Sequence, residues 1–300
     1  MKRLVILLAL LCISCSIPQE QGSIEAHFCP AGNCEGILAN LIADAEESVD
    51  CAFYSLSSEE VLNAIGKSNA KKRFVFNKKI EVDARSTVRP DYLEGLMHNK
   101  FCIIDGKRLI TGSYNPNGRS YLNNILIIES SSIVQNYNDE FRELYSGKFK
   151  GGKPTRNQEV ILNGKLVESY FCPEDNCRKK AIDALRAAKK SIYFFVFSFT
   201  DDDIASLLLE KEVKVRGIME SSQVSRWSVY DKLENKIDVE LFRQGVMHNK
   251  VFVIDNKTVI TGSWNPTNSG SERNDENMLI IHDEKIAMQY VNEFLRWKNG

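Results

Sequence analysis

The hydrophobic residues near the start of the chain follow first a helical and then a strand spacing. Apolar side chains within residues 35–48 recur at the three- and four-residue steps of one helical face, which predicts an amphipathic helix. Residues 49–54, apolar apart from Asp50, predict a short strand directly after it. Ser57-Ser58-Glu59-Glu60 then has the form of a capping box, which indicates that a second helix begins there.

A β-hairpin and a long helix are predicted further along the chain. Residues 98–104 are rich in β-forming side chains, Asp105-Gly106 is a turn sequence, and residues 109–111 return as a strand. Residues 133–145 carry an amphipathic helical pattern. Helices and strands that alternate in this way predict an α/β fold.

The whole pattern is present twice. The segment from Phe28 to Cys34 returns as Phe171 to Cys177, and Met97-His98-Asn99-Lys100 returns as Met247-His248-Asn249-Lys250. A repeat of this length is too long for a solenoid unit, so it indicates two fused domains.

The stretch between the two copies is typical of a linker. Residues 147–157 contain three glycines, one proline and no apolar period. We therefore predict a first α/β half over residues 16–150 and a second over residues 151–300. Residues 1–15 precede them as a targeting segment.

The N-terminus has the features of an export signal. Met1-Lys2-Arg3 is a short basic segment, and the apolar run 4–13 that follows is too short to span a bilayer. Residues 11–15 resemble a bacterial lipoprotein box in which Cys15 would be lipidated and attached to a membrane; plain secretion and an uncleaved anchor are the alternatives. The sequence thus predicts an exported protein that is secreted, periplasmic or lipid-anchored to the cell envelope.

Composition agrees with a globular protein. Apolar residues are 43% and charged residues 26% of the chain, which excludes a disordered, collagen-like or multi-span membrane protein. Lys and Arg number 39 against 40 Asp and Glu, so the net charge does not indicate a dedicated nucleic-acid-binding protein. A basic stretch, Lys71-Lys72-Arg73 with Lys78-Lys79, would either flank a groove for a polyanion or form a solvated helix end.

The cysteines fall into two groups. Two pairs have four residues between their members, and in an exported chain such pairs are expected to form local disulfides. A zinc site of four thiolates that bridges the halves is the alternative. Cys51 and Cys102 are interpreted as buried apolar residues of strands. The disulfide candidates are Cys29, Cys34, Cys172 and Cys177.

Each half carries a histidine and a lysine two residues apart on a predicted strand. His98 and Lys100 therefore project from one face, as do His248 and Lys250. Imidazole can act on a phosphodiester as nucleophile or acid, and an ammonium group can neutralise a phosphoryl oxygen. Such a pair alone also fits a solvated strand face. The longer string His-x-Lys-x4-Asp-x6-Gly-Ser-x-Asn is far more specific, because it occurs complete in both halves at identical spacing.

This string resembles the motif of the phospholipase D superfamily, and the resemblance spans residues 24–298. It is similar to the compact bacterial nucleases and cardiolipin-hydrolase-like proteins, whose single-motif members pair as homodimers. The resemblance implies two phospholipase D-like α/β domains, each a mixed β-sheet flanked by helices, related by a pseudo-twofold axis within a monomer that acts as an internal pseudo-dimer. It also implies a two-step phosphodiesterase that uses no metal and no other cofactor and forms a phosphohistidine.

The resemblance carries over site residues motif by motif. The catalytic candidates are His98, Lys100, Asp105, His248, Lys250, Asp255 and Glu276. Asp105 and Asp255 lie at the hairpin turns and are interpreted as structural supports rather than acid–base groups. The candidates for substrate binding are Ser113, Asn115, Ser263 and Asn265.

Glu276 makes the two halves unequal. The family places a carboxylate at this position to orient a catalytic histidine, and the first half has Asn123 there. The resemblance suggests that the contact crosses to the other half, which would make His98 the nucleophile and His248 the acid. A surface charge near a helix is the alternative interpretation of Glu276.

Three functions remain open from the sequence. The favoured one is an exported endonuclease on DNA or RNA, because the family's lipid enzymes are usually longer than this chain. A phospholipase D-type hydrolase or transphosphatidylase on cardiolipin or phosphatidylcholine is the alternative, and a near-neutral net charge and a membrane anchor would suit it. A binding module without activity is disfavoured because both motifs are complete.

Overall fold

The computed structural model describes residues 17–298, so the predicted export signal and Cys15 lie outside the described residues. Within that range, strands form two mixed sheets with helices packed against them, as the α/β pattern predicts. None of the helices described is long and apolar enough to cross a membrane.

The elements of the two halves follow the same order. The first half contains β1 (Gln19–Glu20), β2 (Ser23–Cys29), α1 (Cys34–Ala43), β3 (Ser48–Phe53), α2 (Glu59–Lys67), β4 (Lys71–Phe76), β5 (Ser86–Pro90), β6 (Lys100–Ile104), β7 (Arg108–Gly112), β8 (Asn123–Glu129) and α3 (Ser131–Ser146). The second half contains β9 (Glu159–Leu162), β10 (Lys165–Cys172), α4 (Cys177–Arg186), β11 (Ser191–Val196), α5 (Asp202–Glu210), β12 (Lys214–Glu220), a 3₁₀ turn (Ser221–Gln223), α6 (Tyr230–Leu233), β13 (Asp238–Phe242), β14 (Lys250–Ile254), β15 (Thr258–Gly262), α7 (Asn268–Glu272), β16 (Glu276–Ile281) and α8 (Glu284–Lys298).

The two sheets share one topology. The first has the strand order β2-β8-β7-β6-β3-β4-β5, and the second has β10-β16-β15-β14-β11-β12-β13 with β9 and β1 added beyond β10. Strands β3-β4-β5 and β11-β12-β13 run parallel, and the remaining neighbours of the shared order are antiparallel. Strand β1 belongs to the first half by its place in the sequence, but it pairs with β9 in the second sheet. The boundary predicted at residue 150 therefore does not assign every strand to the sheet of its own half.

The predicted elements form, but their ends shift. The first helix ends at Ala43 rather than at residue 48. The capping box is displaced by one residue, because Ser58 and not Ser57 caps α2: the Ser58 hydroxyl accepts from the Val61 amide at 3.2 Å. The Ser57 amide instead donates to the Pro116 carbonyl at 2.9 Å, a tertiary contact that local sequence could not indicate.

An apolar core joins the two halves. Helix α3 packs on strands of its own sheet and on β10 of the other, and α8 packs on its own sheet and on β2. Aromatic rings meet across this interface: Tyr137 lies 4.9 Å from Phe171, and Phe28 lies 4.9 Å from Tyr290, measured between ring centroids. Each fully buried ring of this kind contributes roughly 1.5–3 kcal/mol to stability, so separating the halves would expose a large apolar surface.

The four candidate cysteines form the two predicted local disulfides, Cys29–Cys34 and Cys172–Cys177. Their sulfur atoms are bonded to each other, so they do not form the alternative zinc site. Cys51 and Cys102 are buried on neighbouring strands, as predicted, but the interpretation as plain apolar residues was wrong because they form a third disulfide. Sequence could not pair them, since 51 residues separate them and only strand register brings them together.

The basic stretch lies on strand β4 and in the loop that follows it. It begins a strand rather than ending a helix, so the interpretation as a solvated helix end was wrong. Lys72 is buried, and its ammonium group lies 2.6 Å from Asp83 and donates to backbone carbonyls. Arg73 makes a bidentate ion pair with Asp50. The two innermost charges of the stretch are therefore neutralised within the fold.

Asp105 and Asp255 serve as turn supports in both halves. Asp105 begins the hairpin turn with φ 53°, and its carboxylate accepts from the backbone amides of Glu46, Glu47 and Ser48 at 2.7–3.2 Å. Asp255 accepts in the same way from residues 189–191. Burial works to raise the pKa of Asp105, and these donors outweigh it and hold the pKa below its ordinary value.

We expect Asp105→Asn to destabilise the protein by about 1–2 kcal/mol, because it removes a charged acceptor from three backbone donors. Asn tolerates the positive φ, so backbone strain does not contribute. Urea unfolding would measure the effect, with the exposed Asp44→Asn as a control of equal charge change. Because folding lowers the pKa of Asp105, the ionised carboxylate stabilises the folded protein at pH values above the unfolded-state pKa, roughly 3.9. This contribution to the free energy of unfolding is lost as pH falls through the folded-state pKa. Equal effects of the two substitutions would contradict the supporting role.

Candidate active site

Backbone pairing between the halves sets the positions of the two motif histidines. The His98 amide donates to the Asp275 carbonyl at 2.9 Å, and the Asp275 amide donates to Leu96 at 2.8 Å. The equivalent contacts join the second histidine to the first half. The His248 amide donates to the Leu122 carbonyl at 2.8 Å, and the Leu122 amide donates to the Val246 carbonyl at 2.9 Å. Contacts exchanged in this way are those of two units related by a twofold axis.

Each histidine is held by a side chain of the opposite half. Nδ1 of His98 lies 2.7 Å from Oε2 of Glu276. Nδ1 of His248 lies 2.9 Å from Oδ1 of Asn123 and 3.1 Å from the Ser113 carbonyl. Glu276 and Asn123 occupy corresponding positions at the starts of β16 and β8, so the same contact is made once with a carboxylate and once with an amide.

The motif glycine and serine support these two partners. A Cβ on Gly112 or Gly262 would lie 2.3 Å from a carbonyl oxygen of the next strand, and both residues have a positive φ, so glycine is required. The serine that follows is buried, and its hydroxyl donates to the histidine's partner: Ser263 to Glu276 at 2.6 Å, and Ser113 to Asn123 at 3.1 Å. These serines hold the partner side chains.

The two lysines lie beside the histidines. Nζ of Lys100 donates to the His98 carbonyl at 2.7 Å, and Nζ of Lys250 donates to the His248 carbonyl at 2.5 Å. An aromatic ring packs near each pair. The Tyr54 ring lies 5.5 Å from the His98 ring, and the Phe197 ring lies 4.7 Å from the His248 ring, while the lysine ammonium groups lie within cation–π distance of the same rings.

One cavity of about 540 Å³ contains both histidines. Its walls come from both halves and are mostly amides, hydroxyls and aromatic rings. Among its lining residues are Tyr54, Asn115, Arg119, Tyr121, Phe197 and Asn265.

Burial and charge make His98 a neutral base. Burial lowers the pKa of His98 to about 4, against the opposing effect of Glu276. Burial also works to raise the pKa of Glu276, but His98, Lys100 and Ser263 outweigh it and hold that pKa below its ordinary value. A neutral His98 donates its Nδ1–H to the Glu276 carboxylate, which leaves the Nε2 lone pair free to react.

Burial also lowers the pKa values of the other cationic groups of the site. Burial, followed by Lys250 and Lys100, lowers the pKa of His248 well below its ordinary value. Burial lowers the pKa of Lys100 to about 7, and burial and the charge of Lys100 lower that of Lys250 well below its ordinary value. An anion bound between these groups would raise all three pKa values, because it favours the charged forms.

The structure therefore divides the sequence-predicted residues into three sets. His98, His248, Asn115 and Asn265 line the cavity, with the two lysines and Glu276 buried directly beside the histidines. Ser113 and Ser263, predicted for substrate binding, donate to Asn123 and Glu276 and are not among the lining residues. Asp105 and Asp255 lie at the hairpin turns, outside the lining.

Sequence reasoning did not select Asn123, Tyr54 or Phe197 as site residues. The repeat contained the signal, since Asn123 aligns with Glu276, and Tyr54 aligns with Phe197.

Comparison with known proteins identifies the family. The family model described as "Cardiolipin synthase, PLD-like domain" matches residues 38–145 and again residues 181–298, more than half of the chain. A phospholipase D of Rickettsia prowazekii is 35% identical over 143 residues, which are 46% of this chain and 70% of the relative. A mitochondrial cardiolipin hydrolase of Canis lupus familiaris is 30% identical over 179 residues, which are 51% of this chain and 70% of the relative.

A solved structure supports the fold over nearly the whole chain. The phosphatidylserine synthase of Haemophilus influenzae superposes with a TM-score of 0.65, covering 91% of this chain and 86% of its own, at 13% identity. A likeness at this identity shows the fold alone. The two matches of the family model and these relatives show that the chain belongs to the phospholipase D superfamily and is a phosphodiester hydrolase of that superfamily.

Proposed function

We propose that the chain is a metal-independent phosphodiesterase that forms a phosphohistidine on His98, and that its substrate is DNA or RNA. The observation that carries the proposal is the unequal pairing of the two histidines, His98 with Glu276 and His248 with Asn123, around one cavity. Both halves contribute to that cavity, so one monomer has one active site.

The first step transfers the phosphoryl group to the enzyme. Nε2 of His98 attacks phosphorus, a P–N bond forms, and the bond from phosphorus to the leaving oxygen breaks. The Glu276 carboxylate stabilises the positive charge that develops on the His98 ring. His248, protonated once the phosphodiester anion is bound, donates its Nε2 proton to the leaving oxygen.

The second step releases the phosphomonoester product. His248 is now neutral and accepts a proton from a water molecule, which attacks phosphorus and breaks the P–N bond. This restores neutral His98 and protonated His248. Lys100 and Lys250 neutralise the phosphoryl oxygens in both steps, so the charge stabilisation that a metal could supply comes from side chains.

The chemistry of the cavity walls supports nucleic acid as the substrate. Asn115, Asn265 and Arg119 offer hydrogen bonds and charge to a sugar–phosphate backbone. Tyr54 and Tyr121 offer ring faces on which bases of a single strand can stack. The three disulfides fit a protein that works outside the cytosol, so we place this activity in the cell envelope or beyond it.

A phospholipid substrate is the second candidate, favoured by exposed apolar side chains. Tyr92, Leu93 and Trp227 are 72%, 58% and 69% exposed. Tyr92 and Leu93 follow the carboxyl end of β5, and Trp227 follows that of β12. The carboxyl ends of β3 and β11, which run parallel to β5 and β12 in the same two sheets, lead to the cavity residues Tyr54 and Phe197. The apolar side chains thus lie at the same sheet edges as the cavity, where a lipid surface could contact them.

We expect an activated aryl phosphodiester to label His98 covalently. His248→Asn should retain this labelling, because a very good leaving group needs no proton, whereas His98→Asn should lose it. Mass spectrometry after acid-free digestion would locate the phosphoryl group, and circular dichroism would check that both variants fold. A phosphoryl group on His248 would reverse the assignment, and its absence from both histidines would exclude the covalent mechanism.

We expect Glu276→Gln to lower kcat/KM about 10- to 100-fold, as loss of a partner that orients an active-site group typically does. A matched control is available in Glu168→Gln, because Glu168 makes a comparable 2.7 Å contact with His282 outside the cavity. That control should leave turnover within about twofold of the native value. Glu276 would be excluded as the partner of the nucleophile if both variants lost the same activity.

Parallel assays in EDTA would test the substrate and the independence from metal. We expect cleavage of plasmid and single-stranded oligonucleotide to exceed hydrolysis of cardiolipin or phosphatidylcholine vesicles, with turnover unchanged by the chelator. Faster vesicle hydrolysis that falls in Trp227→Ser and Tyr92→Ser would select the phospholipid candidate. Turnover lost in EDTA and restored by Mg²⁺ or Zn²⁺ would contradict the proposed chemistry.

A further inference from the structure

A second, smaller cavity adjoins the active site on the side of His248. It measures about 170 Å³ and shares two lining residues, Arg119 and Tyr121, with the cavity that contains the histidines. The Tyr121 ring lies 6.1 Å from the His248 ring, measured between centroids. Because His248 is the acid of the proposed mechanism, the small cavity borders the part of the substrate that leaves.

The small cavity results from a difference between the two halves in one loop. In the second half, helix α7 lies between β15 and β16, packs on β10, and provides the Ser271 hydroxyl that accepts from the Trp264 indole at 3.3 Å. The corresponding loop of the first half covers residues 113–122 rather than 263–275 and forms no helix. Tyr114, the counterpart of Trp264, and Cys29 at the end of β2 therefore border an open cavity where α7 packs in the second half.

This difference leaves the Tyr114 hydroxyl without a partner. Tyr114 lines the small cavity and is only 6% exposed, and its hydroxyl has no hydrogen-bond partner among residues 17–298. Burial, with the charges of Glu35 and Glu60, raises the pKa of Tyr114, so the hydroxyl keeps its proton and can donate. A buried polar group without a partner is costly, and a ligand with an acceptor atom would satisfy it.

The other walls of the small cavity suit one planar ring. The Cys29–Cys34 disulfide presents an apolar side, and Tyr121 offers an aromatic ring. Asn33 and Glu35 add an amide and a carboxylate, which are groups that pair with the edges of bases. Drug-sized ligands occupy pockets of roughly 300–1,000 Å³, so this cavity admits a single base rather than a whole nucleotide.

Arg119 lies where the two cavities meet. Its Nη1 donates to the Tyr121 hydroxyl at 2.7 Å, and its guanidinium carbon lies 5.8 Å from the centroid of the same ring. These contacts hold the Tyr121 ring in place and put a positive charge between the two cavities. A cation there attracts a phosphate of a nucleic-acid chain and repels a cationic headgroup such as choline.

We propose that the small cavity binds the base of the nucleotide on the leaving side of the cleaved bond. The base stacks on Tyr121, an acceptor atom on its edge receives a hydrogen bond from the Tyr114 hydroxyl, and Arg119 pairs with the next phosphate of the chain. This role rests on the proposed function, because it takes nucleic acid as the substrate and His248 as the acid.

A single-stranded oligonucleotide with one cleavable phosphodiester would test this subsite. Its other linkages are methylphosphonates, and two further substrates carry a stable abasic residue on one or the other side of the cleavable bond. The product that ends in a hydroxyl identifies the leaving side, because phosphorus stays with the other fragment. We expect the native enzyme to cleave the complete substrate about tenfold faster than the one that is abasic on the leaving side.

Variants of the small cavity should reduce this ratio of rates. Tyr114→Phe should lower it roughly threefold, because it removes the hydroxyl that bonds the base. Its melting temperature should not fall, since that hydroxyl has no hydrogen-bond partner among the described residues. Tyr121→Ala should bring the ratio close to one. Tyr193→Phe, the same change as at Tyr114 but outside both cavities, should leave the ratio unchanged.

The subsite is rejected if Tyr114→Phe lowers both rates equally and leaves the ratio unchanged, which is the result of a structural role. It is also rejected if the variants change only the effect of the abasic residue on the phosphate-bearing side. Phosphatidylcholine hydrolysis that falls in Tyr114→Phe, with oligonucleotide cleavage unaffected, would assign the cavity to a lipid headgroup instead. If the native enzyme cleaves none of the oligonucleotides, the proposed substrate fails together with the subsite. A native ratio of one in an enzyme that does cleave them rejects the subsite alone.

Discussion

The exchange of backbone hydrogen bonds between residues 96–98 and Asp275, and between Leu122 and residues 246–248, is the constraint on which the site depends. It places the segment that ends at His98 against Asp275, which directly precedes Glu276. It likewise places the segment that ends at His248 against Leu122, which directly precedes Asn123. Side chains of one half can then reach the imidazoles of the other. A local change in either loop would therefore disturb the pairing of both histidines with their partners.

The site also buries more basic side chains than carboxylates. Two lysines and two histidines are buried with one carboxylate, and burial is the largest cause that lowers the pKa values of these four groups. Burying charges in this way opposes folding, so the apolar core around Tyr137 and Phe171 must outweigh it. A phosphodiester restores the balance when it binds. The same groups whose burial opposes folding thus favour a bound anion.

The parts of this structure that local sequence could predict are those with a repeated or periodic signal. The amphipathic helices and the hairpin turns at Asp105 and Asp255 follow from local patterns, and the two local disulfides follow from cysteine spacing together with the export signal. The Cys51–Cys102 bond, the burial of Lys72 and the capping of α2 by Ser58 depend on strand register or tertiary contacts, which no window of sequence contains.

In the candidate site, too, some features could be predicted from sequence and others depend on tertiary contacts. The motif predicted His98, Lys100 and their counterparts, and the mismatch between Glu276 and Asn123 predicted that the histidines differ. It did not show that Ser113 and Ser263 point at those partners instead of lining the cavity. That placement depends on how far β7 and β15 approach their neighbours, which Gly112 and Gly262 determine.

The covalent connection of the two halves has a consequence for how such a site can change over time. In a homodimer, one codon specifies both copies of a position, so a carboxylate beside one histidine is necessarily beside the other. In the fused chain, positions 123 and 276 can mutate independently. One copy can keep the charge that favours a nucleophile while the other loses it. Fusion of the halves thus permits different partners beside the two histidines, which two identical subunits encoded by one gene could not have.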